Sequence, residues 1–184
     1  MKKIIMFLIV LSGFMSMLNA QALLRSSPSL KRTLYGYTLG TSFSNLVFTG
    51  NYKKDMESSK HWGNVLLNDV DNKYVKYVNL IFYDRQLYSI HTIYSINDND
   101  SMDEFCGFHG KICDYYNAIY GPACINDGTL KWNDGKTILS INAEPSESGV
   151  FAIVYEDFEI YKRVSQEVLK EFDKNCNVIL LQEK

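Results

Sequence analysis

Two stretches, Tyr74–Tyr83 and Gln86–Tyr94, are dense in Tyr, Val, Ile and Phe, and only Asp84-Arg85 separates them. Branched and aromatic side chains suit a pleated surface, and a two-residue polar break suits a hairpin. This pair commits the middle of the chain to an antiparallel sheet. Pairing across that turn places Val78, Leu80, Phe82, Leu87 and Ile93 on one face. Tyr77, Ile81, Tyr83, Tyr88, Ile90 and Tyr94 fall on the other. One face is expected to meet helices. The row Tyr77, Tyr83, Tyr88 and Tyr94 is then either core or a contact surface for a protein or glycan partner, because tyrosine combines a rigid apolar ring with a polar tip.

A second hairpin signal, Asp134-Gly135, lies between Thr129–Asn133 and Lys136–Ile141. It sets Leu130, Trp132, Thr137, Leu139 and Ile141 on one face. Val65 and Leu67 mark a strand before the first hairpin, and Val150–Tyr155 one after the second. Two helices are expected. One spans about 101–120, opened by Ser101 with acids at Asp103 and Glu104 and stopped by Gly121-Pro122. The other spans about 158–173 and is capped by Asp157. The order predicts an α+β two-layer sandwich, antiparallel β-meanders with helices on one face. The matching places of Phe82–Leu87 and Trp132–Thr137 suggest a diverged tandem αβββ repeat, with halves 34–96 and 101–173 of a single domain 34–184.

Residues 1–20 read as a signal peptide: Lys2-Lys3, an apolar run from Ile4 to Leu18, then Asn19-Ala20. Cleavage fits after Ala20 or after Ala22. The segment 21–33 reads as a flexible leader. Removing the signal leaves 17 basic against 21 acidic residues, and the net charge moves from −2 to −4. Nothing in that balance supplies the basic stripe nucleic acid requires. No second apolar run long enough to span a membrane follows. The product is expected to be exported, periplasmic or extracellular.

Export makes the four cysteines disulfide candidates. Cys106 and Cys113 on one helix would lie about 10 Å apart at 1.5 Å per residue, beyond bridging reach. The expected pairs are Cys113–Cys124 and Cys106–Cys176. Cys106-x2-His109-x3-Cys113 has the ligand types of a zinc site, but only three of them; the reading is no metal and no cofactor. A cysteine nucleophile with His61, His91 or His109 lacks any flanking signature. His91 reads as a half-buried strand residue on the face of Leu80 and Phe82. Asp98, Asp100, Asp103 and Glu104 read as helix capping rather than a calcium loop. Asn99-Asp100-Ser101 is a glycosylation sequon in a eukaryotic secretory route only.

The opening Leu39-Gly40-Thr41-Ser42 before a short helix, followed by the strand meander, resembles small exported α+β domains of the BamE/SmpA outer-membrane-assembly lipoprotein and beta-lactamase-inhibitor-protein type. The resemblance implies protein binding and no catalysis, and it transfers no functional residue. The lipoprotein cysteine of those domains is missing here. The signal peptide, the aromatic strands and the lack of a catalytic motif make the expected function a non-catalytic binding module of the bacterial envelope. The alternative is a small secreted hydrolase with a carboxylate or His site.

Overall fold

The structure, a computed structural model, describes residues 28–56 and 61–167. The expected signal segment, residues 168–173 of the expected second helix, and Cys176 lie outside the described residues.

The fold is α+β. A small ribbon of β1 (Thr33–Leu34) and β2 (Tyr37–Thr38) leads into a single 3-10 turn at Phe43–Asn45. Then come β3 (Tyr52–Asp55), β4 (Trp62–Leu67), β5 (Val75–Tyr83) and β6 (Gln86–Ser95). Helix α1 (Met102–Tyr120) follows, then β7 (Cys124–Asn126), β8 (Thr129–Asn133), β9 (Thr137–Asn142) and β10 (Val150–Asp157). Helix α2 begins at 158 and is described to 167. Eight strands form one antiparallel sheet in the order β3-β4-β5-β6-β10-β9-β8-β7. Each half of the chain makes a four-stranded meander, and the meanders meet where β6 pairs with β10.

The Asp84-Arg85 turn closes as expected, with Tyr83 opposite Gln86. Both turn residues have positive φ, 46° and 62°, the signature of a type I′ turn, which matches strand twist. The Phe43 N–H donates to the Arg85 carbonyl at 2.7 Å and fixes the turn against the N-terminal segment. In the second hairpin the central pair is Gly135-Lys136, one residue later than expected. The Asp134 N–H donates to the Thr137 carbonyl at 3.3 Å, and Gly135 has φ +81°. The Asp134 carboxylate instead accepts from the backbone of Leu30, Lys136 and Thr137. The shift moves the register by two, so the face assignment of Leu130, Trp132, Thr137, Leu139 and Ile141 survives.

The first hairpin departs from simple alternation. Ile81 pairs with Ser89 but Phe82 pairs with Leu87, so Tyr88 is an extra residue in β6. A one-residue bulge turns the rest of the strand over. Ile90 and Tyr94 therefore join Leu80, Phe82 and Leu87, while His91 and Ile93 pass to the opposite face. This corrects the expected placement of Ile90, His91, Ile93 and Tyr94.

The main core lies on the face carrying Val78, Leu80, Phe82, Ile90, Leu139, Ile141, Phe151 and Tyr155. Helix α1 covers it through Phe105, which is fully buried against Phe151 and Tyr74. A capping box starts α1: the Glu104 N–H donates to Ser101 Oγ, and the Ser101 N–H to the Glu104 carboxylate. At the far end Trp132 Nε1 donates to the Gly121 carbonyl at 2.8 Å. Helix α2 packs on the reverse face, where Ile160 and Val164 meet Tyr83, Tyr88 and Ile81. The helices thus lie on opposite faces rather than one. The reverse face has an aromatic seat of its own: Tyr88 stays beside Tyr83 there, and the bulge turns over the residues that follow it.

The leader is ordered from Leu30, whose side chain is buried in the main core. Arg32 reaches Asp157 at 2.5 Å, the Lys136 carbonyl at 2.6 Å and the Leu39 carbonyl at 3.2 Å. Asp157 also caps α2 by accepting from the Ile160 N–H. Gly40 sits against this pair at φ +82°, and a Cβ there would come within 3.2 Å of the Asp157 carboxylate. Both backbone and space call for glycine. The expected flexible leader over 21–33 is thus corrected from Leu30 onward; residues 21–27 lie outside the described residues.

Candidate functional site

Helix α1 is amphipathic, but its aromatic stripe is too broad for the sheet to cover completely. Phe105 and Phe108 point into the core, and Ile112 and Tyr116 follow at helical spacing. Tyr115 is adjacent to Tyr116, so a rotation of about 100° separates them. Tyr115 stays exposed with its ring edge-on to Tyr116. Between this flank of α1 and the sheet lies a cleft of about 410 Å³. The helix contributes Phe108, Lys111, Ile112, Tyr115 and Tyr116; the sheet contributes Tyr94 and Ile153; Asn72 closes one end. That volume lies within the range of small-molecule sites.

The walls are packed ring on ring. Tyr94 stacks on Phe151 across the β6–β10 seam, with centroids 4.7 Å apart and planes 4° apart, and Phe108 packs on both rings. The Tyr155 hydroxyl donates to the Tyr116 oxygen at 2.8 Å. Burial pushes the phenols of Tyr94, Tyr116 and Tyr155 above their ordinary value, so all three are neutral donors at physiological pH.

The four tyrosines expected to form a row do not come together. Tyr83 and Tyr88 are 3% and 9% exposed beneath α2. Their hydroxyls are used internally, Tyr83 on Glu167 and Tyr88 on Glu156. Tyr77 is half-buried on that same face. Tyr94 stands on the opposite face and lines the cleft. The bulge at Tyr88 separates it from the others.

Among the described residues Cys106, Cys113 and Cys124 carry no disulfide: Cys106 and Cys124 are exposed and Cys113 is partly buried. The expected Cys113–Cys124 bridge is not formed here. Cys113 points instead toward His109, one helical turn earlier, with Sγ 3.6 Å from Nε2 and 4.0 Å from Nδ1. This Cys–His contact has the spacing of a nucleophile pair but not its electrostatics. The His109 Nε2–H donates to the Asn142 carbonyl at 2.8 Å, and the ring stands edge-on to Phe151 at 4.7 Å. Burial, helped by Asp114, pushes the Cys113 thiol up. A thiol held protonated is a poor nucleophile. His109 is a packed structural histidine.

Among the described residues no three of His, Cys, Asp and Glu gather to hold a metal ion. The acids after β6 are dispersed. Asp100 pairs with Lys73 at 2.5 Å. Asp103 and Glu104 lie in the first turn of α1. Asp98 lines an open polar groove with Lys73 and Lys76. His91 sits between Asn79 and Val154 on the sheet. Burial alone draws its pKa below the ordinary 6.5, with no carboxylate acting on it. His61 is at the surface, with Nδ1 2.5 Å from Asp84. No helix among the described residues is long and apolar enough to cross a membrane.

Of the residues lining the cleft, sequence reasoning singled out Tyr94 and missed Lys111 and Asn72. The available signal was the Tyr115-Tyr116 pair, since two adjacent rings on a helix cannot both face one sheet. Comparisons of the chain with family models, with curated proteins and with solved structures found no match.

Proposed function

We propose that this chain is an exported, non-catalytic binding module of a bacterial envelope. The observation that carries this reading is the ring-walled cleft between α1 and the sheet. It presents preformed apolar area of ligand size, and none of the reactive groups weighed in the sequence is poised at it. The signal-like residues 1–20 and the resemblance to small exported interaction domains point the same way. Export also keeps Cys106, which is exposed, and Cys176 as a candidate bridge.

The finer architecture follows the same reading. The sheet with α1 makes a two-layer sandwich, and α2 is an added element on the reverse face. The sheet order, two four-stranded meanders back to back, supports a tandem duplication of a helix-and-meander unit.

The test uses protein purified from its own exported fraction. Native mass spectrometry is expected to find a retained small molecule on the wild type that Ile112→Trp, which fills the cleft, does not carry. Panels of ester, peptide and glycoside substrates are expected to give no turnover. Turnover abolished by His91→Ala would overturn the reading in favour of the hydrolase.

A further inference from the structure

We propose that the α1–sheet cleft selects a small organic acid: an apolar, aryl-sized body held between Tyr94, Phe108 and Tyr115, with its carboxylate at Lys111 and Tyr116. This deepens the binding reading and rests on it. Three observations lead here. First, the lining contains no acid, and Lys111 makes no ion pair among the described residues. A ligand cation would find no partner in the cleft, whereas an anion finds an uncommitted ammonium.

Second, the polar groups of the lining are left as donors. Asn72 Oδ1 already accepts the Tyr74 N–H at 3.1 Å, which leaves its amide N–H groups for a ligand. The Tyr116 oxygen already accepts the Tyr155 hydroxyl proton at 2.8 Å, so its own proton points elsewhere. Lys111 can only donate. Asn72, Lys111 and Tyr116 therefore ask for an acceptor, and a carboxylate is acceptor-only and charged, with two oxygens to share among them. Third, the remaining lining is aromatic or aliphatic. A sugar ring would leave most of its hydroxyls unpaired there, since only the Tyr94 and Tyr115 hydroxyls stand among those side chains. A flat apolar body loses nothing. The cleft of about 410 Å³ takes such a body with its acid group at the rim.

The test is a titration of the full chain followed by two-dimensional amide and aromatic NMR. The probes are 3-phenylpropionate, 3-phenylpropanol, 3-phenylpropylammonium and inorganic phosphate. The acid is expected to shift the resonances of Tyr94, Phe108 and Tyr115 and to bind about tenfold more tightly than the alcohol, as one charge-assisted hydrogen bond allows. The ammonium and free phosphate are expected to leave the cleft unshifted. Lys111→Met keeps the apolar stem and is expected to weaken the acid about tenfold while leaving the alcohol unchanged. Tyr116→Phe is expected to weaken the acid by a smaller factor. Equal cleft binding of acid and alcohol, or insensitivity to Lys111→Met, would overturn the anion selectivity and leave the binding reading standing. If no probe shifts the cleft up to about 10 mM, a concentration where even weak fragment binding registers, both fall.

Discussion

Arg32 and Asp157 meet at 2.5 Å, and through that contact the first described residues of the chain hold the cap of its last described helix. Arg32 is about one-third exposed and Asp157 is nearly buried, so solvent screens the pair only on one side. Asp157→Ala removes the ion pair and the cap together and is expected to cost about 3–4 kcal/mol. Asp157→Asn keeps a cap acceptor and is expected to cost roughly half as much. Urea unfolding of both variants checks this; equal losses would mean the cap contributes nothing, and an unchanged Asp157→Asn would mean the ion pair contributes nothing.

The Asp84-Arg85 turn places an arginine at φ 62°. An L-residue pays about 1–2 kcal/mol there, and glycine avoids it. Arg85 also lies over the Phe43 ring at 5.9 Å, a contact glycine forgoes. Arg85→Gly is therefore expected to stabilise the protein by about 0.5–1 kcal/mol net. Thermal unfolding reads the sign directly, and a fall in Tm would refute the turn assignment.

The buried phenols predict an alkaline limit. Tyr88, Tyr94, Tyr116 and Tyr155 all have pKa values raised above 10, with desolvation as the largest cause. Below pH 10 both states keep these protons. Above it the unfolded chain releases protons the fold retains, so stability drops as pH rises. Phenolate absorbance should therefore appear in two stages, exposed rings first and these four only with unfolding.

On the acid side, His91 is held below 6.5 by burial. The unfolded chain takes up that proton first, so stability is complete above pH 6.5 and declines as pH falls through it. His91→Gln is expected to remove this step. A second step belongs to Asp134. Burial raises its pKa, but hydrogen bonds from the Lys136, Leu30 and Thr137 backbone and the charge of Arg32 bring it below 3.8 overall. That contribution is present above 3.8 and is lost as pH falls through the lower folded value. Denaturant midpoints across pH 3 to 8 for wild type and His91→Gln separate the steps.

The thiols are expected to differ in reactivity. Cys106 and Cys124 are exposed, while Cys113 is partly buried with a raised pKa. Under reducing conditions at about pH 8, where an ordinary thiol near 8.5 is partly ionised, iodoacetamide should label Cys106 and Cys124 at least tenfold faster than Cys113. Fast labelling of Cys113 would revive the nucleophile it forms with His109.

Much of the fold was legible because period and punctuation agreed. The Tyr74–Tyr94 hairpin, the Ser101 start and Gly121 stop of α1, and the Asp157 cap all rest on local rules. The Tyr88 bulge was not legible. No Gly marks it, and the contacts that hold it are distant: Tyr88 packs on Trp62, Tyr83 and Ile160 on the reverse face. That single residue decided which tyrosines could act together. The leader was misread for a similar reason, since Arg32 finds its partners more than a hundred residues away. The cleft stayed hidden because its walls come from elements whose packing depends on that same bulge.

The sheet order carries one more consequence. Every neighbouring strand pair in it is sequential except β6 with β10. Each meander can therefore assemble from its own contiguous stretch of chain, leaving a single long-range seam to close, with Tyr94 and Phe151 among its pairs. Two polypeptides made by cutting the chain in the turn at 97–100 would carry one meander each, and they should recognise one another along that seam and reconstitute the sheet as a split protein.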